Sequence, residues 1–135
     1  MTNLIYTLLQ IVHNFGAAAV VGGPALVYWL GRDNDAIQRR MAWLVVSGAT
    51  AQLASGVGFG LASHFIKGQL PELEGVALIA LVVKIICVTS SLVLMLRHLF
   101  RAEGVVSRPH RSVWLATLAL GSIALAAAAF LRWYL

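Results

Sequence analysis

Four long apolar stretches alternate with short polar ones along this chain. The apolar stretches run over about residues 4–30, 41–66, 75–96 and 113–133, and the connections between them read GRDNDAIQRR, KGQLPELE and RHLFRAEGVVSRPHRS. Each stretch is close to the roughly 20 residues that one helix needs to cross the hydrocarbon of a bilayer. Gly, Pro, Asn and Asp in the connections supply the breaks. The pattern predicts an all-α, integral membrane four-helix bundle, a single four-span domain covering residues 1–135. The weakly polar Met-Thr-Asn start has neither a basic opening nor a small-residue cleavage pattern behind it, so the first stretch reads as a span and not as a removable signal.

Composition excludes the two other classes. The 135 residues are 60% hydrophobic and 11% charged, with a mean hydropathy of +0.85. A soluble chain of this size has too little interior to hide that much apolar surface, and disordered segments are polar and charged. Cys87 is the single cysteine and lies in an apolar run, which rules out an internal disulfide or a cysteine-based metal cluster.

The net charge of +5 resolves into topology. Arg32, Arg39, Arg40, Arg97, Arg101, Arg108 and Arg111 belong to the first and third connections, against Lys67 and Arg132 on the other side. Seven against two is a positive-inside bias that places the N-terminus and the C-terminus both outside. Tyr28, Trp29, Trp43 and Trp114 then fall at the inner interface, and Tyr6, Trp133 and Tyr134 at the outer one. The basic inner face suits anionic lipid and gives no reason to invoke nucleic acid. A four-span chain with no targeting peptide fits a multi-pass protein of a bacterial inner membrane.

Helices in lipid associate through close packing and polar contacts. Gly48, Gln52, Gly56 and Gly60 recur every four residues on the second helix, with Ser55, Phe59 and Ser63 on the next ridge. These predict one smooth packing face carrying a single amide. Small residues also populate the first helix at Gly16, Ala17, Ala18, Ala19, Gly22 and Gly23, and the fourth at Gly121, Ser122 and Ala126–Ala129. Pro24 removes a backbone hydrogen bond and should bend the first helix near its inner end.

Ionisable groups at membrane depth are costly and point to function. His13 and Lys84 both lie about nine residues into helices that run inward, so both sit about 14 Å below the outer surface. Tyr6, Gln10 and His13 share a stripe, with Asn14 beside it. Lys84, Cys87, Ser91, Met95 and His98 share a face of the third helix. No Asp or Glu accompanies Lys84 within any of the four stretches. A buried ammonium must lose its proton, reach water or find an anion. A carboxylate-bearing cofactor would meet that need, and so would backbone carbonyls or Gln52 around a neutral amine in a wet cavity. His64 stands about a dozen ångströms above His13, and His98 and His110 belong to the inner surface, so the usual bis-histidine haem pair is not encoded.

These placements resemble the small four-helix membrane proteins that include HemJ-type protoporphyrinogen oxidases and CopD-like copper-resistance domains. The resemblance covers about residues 10–100 and rests on HNFGAAAVVGGPALVYWL, SGVGFGLASHF and LIALVVKIICVTSSLVLMLRH. In the HemJ-type group it implies that His13 and Lys84 are the functional histidine and lysine. It also implies that hydrogens are removed from a porphyrinogen, that haem b is the redox partner, and that porphyrin propionates are the anions for Lys84. The fourth helix opens RSVWLATLALG where that group carries an Asn-Glu-Val-Pro-like motif.

Three functions follow as expectations. One is a redox protein, an oxidoreductase if an enzyme, holding haem b or another porphyrin between helices 1–3. Its contacts would come from His13, Lys84, Gln10, Asn14, Tyr6 and Gln52, with His13 as metal ligand. The second is a non-catalytic small subunit of a larger, respiratory-type membrane complex, or a homo-oligomer. The third is a CopD-like metal-handling or small-solute transport protein, although Met41 and Met95 lie near the inner side and only His13 and His64 face outward.

Overall fold

A computed structural model describes residues 1–31, 33–69, 72–101 and 111–134, with Arg111 described by its backbone alone. Arg32, Arg108 and His110, which the sequence assigns to the inner face, lie outside the described residues. The described residues form four α-helices: α1 Thr2–Leu30, α2 Asp35–Lys67, α3 Val76–Leu99 and α4 Arg111–Tyr134. Each is long and apolar enough to cross a membrane.

Local chemistry explains where α2 departs from expectation. It begins at Asp35, six residues before the apolar stretch, because Asn34 caps it by accepting the Ile37 N–H at 3.1 Å. Asp35 in the first turn adds a negative charge where the helix dipole favours one. Arg39 and Arg40 therefore stand on the helix and not in the connection. At the other end Gly68 takes φ 69°, the left-handed conformation that stops a helix at little cost to glycine. In α3 the helix runs on through Arg97 and His98 to Leu99. α1 continues unbroken through Pro24, whose side chain is fully buried.

The helices pack as a ring in chain order: α1 on α2, α2 on α3, α3 on α4, and α4 back on α1. α1 and α3 therefore face each other across the bundle's diagonal. The tightest approach joins α1 to α2. A Cβ on Gly16 would stand 2.7 Å from the Gly48 carbonyl oxygen, and one on Gly48 would stand 2.7 Å from Ala19 Cβ. Only glycine lets the two backbones meet there. Gly121 of α4 sits similarly close to Val20 and Val21 of α1.

The expected smooth face of α2 holds at Gly48, Gln52 and Ser55 and fails beyond them. Gly56 and Gly60 have nothing within 4 Å of an added Cβ, whereas Gly58 meets Leu9. At about 100° per residue, a row of fours turns about 40° around the helix at each step. The row has left the α1 contact by Gly56, and the contact continues along Gln52, Ser55 and Phe59 instead.

Two apolar clusters fill the bundle. Val20, Ala49, Cys87, Val88 and Ala124 form the middle one, with Cys87 acting as a small apolar filler. Val27, Ala42, Val45, Met95 and Trp114 form the other, toward the end opposite the termini. Trp114, expected as an interfacial anchor, points inward and is 2% exposed. Its indole N–H donates to Gln38 Oε1 at 3.4 Å and its ring meets His98 edge-on. A buried tryptophan needs such an acceptor, and Gln38 sits on the inward face of the turns of α2 that the apolar stretch did not include. Trp29 and Trp43 are exposed on the bundle surface.

Candidate functional site

The inward face of α1 is set by Tyr6, Leu9, His13, Gly16 and Val20, spaced three or four apart. His13 points from this face into the bundle and meets side chains from two other helices. Its Nδ1 lies 2.7 Å from Ser55 Oγ of α2, and its Nε2 lies 2.7 Å from Lys84 Nζ of α3. Gln52, one turn from Ser55, donates its amide to the His13 carbonyl at 2.8 Å. Phe59 meets the His13 ring edge-on with centroids 5.9 Å apart, and stacks on Tyr6 at 6.3 Å. The site is a three-helix polar chain with an aromatic roof.

The order of its protons follows from counting hydrogens. Ser55 Oγ has one hydrogen and stands 2.6 Å from the Ala51 carbonyl oxygen, which has none to give. The serine hydrogen therefore lies on that bond, and Oγ accepts from His13 Nδ1–H. Nε2 is left with a lone pair, which accepts from the Lys84 nitrogen. The chain runs Lys84 to His13 to Ser55 to the Ala51 carbonyl. A partner on one ring nitrogen thus sets the role of the other, as happens at metal-bound histidines.

Charge is unbalanced here. Asp35, in the first turn of α2, is the one acidic residue in any of the four helices, and it lies at the end away from the site. Among the described residues His13 supplies the partner recorded for Lys84. Tyr6 adds a second unmet group, since its hydroxyl oxygen is buried with no hydrogen-bond partner among the described residues. Lys67 Nζ stands 5.8 Å from the Tyr6 ring centre, close enough for a cation–π contact.

The structure sorts the sequence-derived candidates into three groups. His13 and Lys84 come together directly, which their matched depth allowed. Gln52 and Tyr6 flank them, the former through the His13 backbone and the latter through Phe59. Gln10 and Asn14 do not join the site. They lie on the bundle surface, where Gln10 Nε2 donates to Asn14 Oδ1 at 2.7 Å. On the α3 face, Ser91 returns its hydroxyl to the Cys87 carbonyl at 2.9 Å and is satisfied without a ligand. His64 is exposed against Phe65, and His98 packs on Trp114, so neither meets His13.

Ser55 is the site residue that sequence reasoning treated only as a packing element. A depth count points to it: Ser55 lies 12 residues before the end of α2, and His13 lies 11 residues after the start of α1. A hydroxyl at the level of an intramembrane imidazole is its natural partner.

A haem iron would find one imidazole here, in the tautomer that frees Nε2, with Lys84 Nζ now on that lone pair. No group of three or more His, Cys, Asp or Glu side chains gathers among the described residues. The site thus offers one imidazole, His13, and one amine, Lys84, among the described residues. Comparison with protein-family models, curated proteins and solved structures finds no match to this chain.

Proposed function

We propose that this is a multi-pass membrane protein that holds an anionic, largely apolar ligand of the porphyrin class among α1, α2 and α3, in a redox role. The observation that carries the reading is Lys84 Nζ on His13 Nε2 at 2.7 Å, both side chains half-buried between the helices, with no carboxylate in the neighbouring turns. A ligand carboxylate would give Lys84 its counter-charge, and the Tyr6 hydroxyl could meet a second polar group about 10 Å nearer the termini. Haem b is the member of this class implied by the HemJ-type resemblance, with His13 as its iron ligand once Lys84 turns to the carboxylate. When bound, it would supply one-electron redox chemistry. Ser55 holds the His13 ring in place, and Phe59 keeps water from its edge.

The arginine distribution supports placing both termini outside a bacterial inner membrane. The metal-handling reading gains no support from the site, because Met95 is sealed within the lower core.

The test is a titration of the detergent-purified protein with protoporphyrin and with haem, followed by absorption and fluorescence. The expected result is saturable binding of both, weakened about tenfold or more by Lys84→Met. His13→Ala should remove the ligated-haem spectrum and leave protoporphyrin bound. Absence of binding, or binding unchanged by Lys84→Met, would overturn the proposal and favour a non-catalytic subunit.

A further inference from the structure

A second feature of α1 lies on a different face from the site. Asn3, Thr7, Gln10, Asn14, Ala17 and Val21 recur at alternating spacings of four and three, the seam along which two helices pair. α4 covers only the lower part of this seam. Val21 sits 3.1 Å from where a Gly121 Cβ would stand, and Ala17 and Val21 are half-buried, while Asn3, Thr7, Gln10 and Asn14 are exposed.

The exposed part is polar at a depth where lipid offers no hydrogen bonds. Gln10 and Asn14 lie about 12 and 18 Å along α1 from its start, against a hydrocarbon thickness of about 30 Å. Thr7 satisfies its hydroxyl on the Asn3 carbonyl at 2.7 Å. The Gln10–Asn14 bond uses one donor and one acceptor. It leaves Gln10 Oε1, one Gln10 N–H and both Asn14 N–H groups without a recorded partner among the described residues. The opposite flank of α1 contrasts with this. There Ile11, Val12, Phe15 and Ala19 line an apolar groove of about 310 Å³ with Leu44, a surface that acyl chains suit.

Whatever covers the polar seam must present both donors and acceptors at two fixed depths. A second copy of this chain, inserted in the same orientation, does so without further adjustment. A two-fold axis along the membrane normal sets Gln10 opposite Gln10 and Asn14 opposite Asn14. Each amide carries a positive N–H end and a negative C=O end, so the face is complementary in charge to its own image. We infer that two copies pair through the terminal half of α1 as a parallel, two-fold dimer, independently of any ligand at His13.

Cysteine scanning of α1 in native membranes tests this, with the unmodified chain as control because its Cys87 is buried. Mild oxidation should give disulfide-linked dimers strongly from Thr7→Cys, Gln10→Cys and Asn14→Cys. Leu8→Cys and Phe15→Cys, on the other flank, should give few. The double variant Gln10→Leu/Asn14→Leu should weaken dimerisation in mild detergent by about tenfold, about 1.4 kcal/mol. Equal cross-linking from both flanks, or none from the seam, overturns the inference. Cross-linking of the seam to a different polypeptide overturns the choice of a second copy.

Discussion

Replacing Ser55 with alanine tests the proton order of the interior chain. The hydroxyl accepts from His13 Nδ1–H and donates to the Ala51 carbonyl at 2.6 Å. In Ser55→Ala the Nδ1–H faces a methyl group; an unsatisfied buried donor costs about 1–3 kcal/mol, and this half-buried one falls toward the lower end. Interhelical hydrogen bonds in membranes average nearer about 0.6 kcal/mol, because the opened state also finds partners. The expected loss is therefore about 1–2 kcal/mol, read from reversible unfolding in mixed micelles. A second consequence is sharper. Without Ser55 nothing holds the hydrogen on Nδ1, and the ring can move it to Nε2, where it no longer accepts from Lys84. Ser55→Ala and Lys84→Met act through one ring, so their costs should fail to add by about 0.5 kcal/mol or more. Spectra of isotope-labelled histidine, assigned with His13→Ala, should show Nδ1 protonated and Nε2 bare in the unmodified protein. A wild-type spectrum with Nε2 protonated, or costs that add within about 0.3 kcal/mol, would refute the proton order.

Two further expectations come from packing. Gly48→Ala should destabilise the bundle by about 1–3 kcal/mol, since its Cβ would lie 2.7 Å from Ala19 Cβ and 2.9 Å from the Gly16 carbonyl, while Gly56→Ala, with open space, should change stability by less than about 0.5 kcal/mol. Paired unfolding curves check this contrast. Trp114→Ala should cost about 3–5 kcal/mol, the range for emptying a buried aromatic, and Gln38 should lose its donor at the same time. If Trp114 were an interfacial anchor, the same change would cost far less and leave the far core intact.

The four helices were legible because a membrane span has a length set by the bilayer and an apolar content that few other elements share. Their ends were less so. Asn34 and Asp35 recruit a polar segment into α2 through a cap and a dipole, and neither effect appears in hydropathy. At the site, His13 and Lys84 were legible as costly groups at equal depth, but their contact depended on α1 and α3 facing across the ring. That arrangement is set by packing at Gly16, Gly48 and Gly121, and depth alone does not define it. Gln10 and Asn14 were misgrouped with His13 because a polar stripe broad enough to hold all three spans two faces of the helix. Trp114 was misjudged for a related reason: position along the membrane says nothing about which way a side chain turns.

The close approach of Gly16 and Gly48 also bears on how a bulky ligand would enter. There α1 and α2 are locked backbone to backbone, with Gln52 on the His13 carbonyl and Ser55 on its ring just above. These two helices form one leaf of a hinged book, and α3 with α4 form the other. Gly121 against Val20 and the cluster around Trp114 join the two leaves. Toward the termini, Lys84 on His13 is the clasp. Any parting of the leaves on that side would break the Lys84–His13 bond, and it would carry Lys84 away with α3 while Gln52 and Ser55 keep His13 on α2.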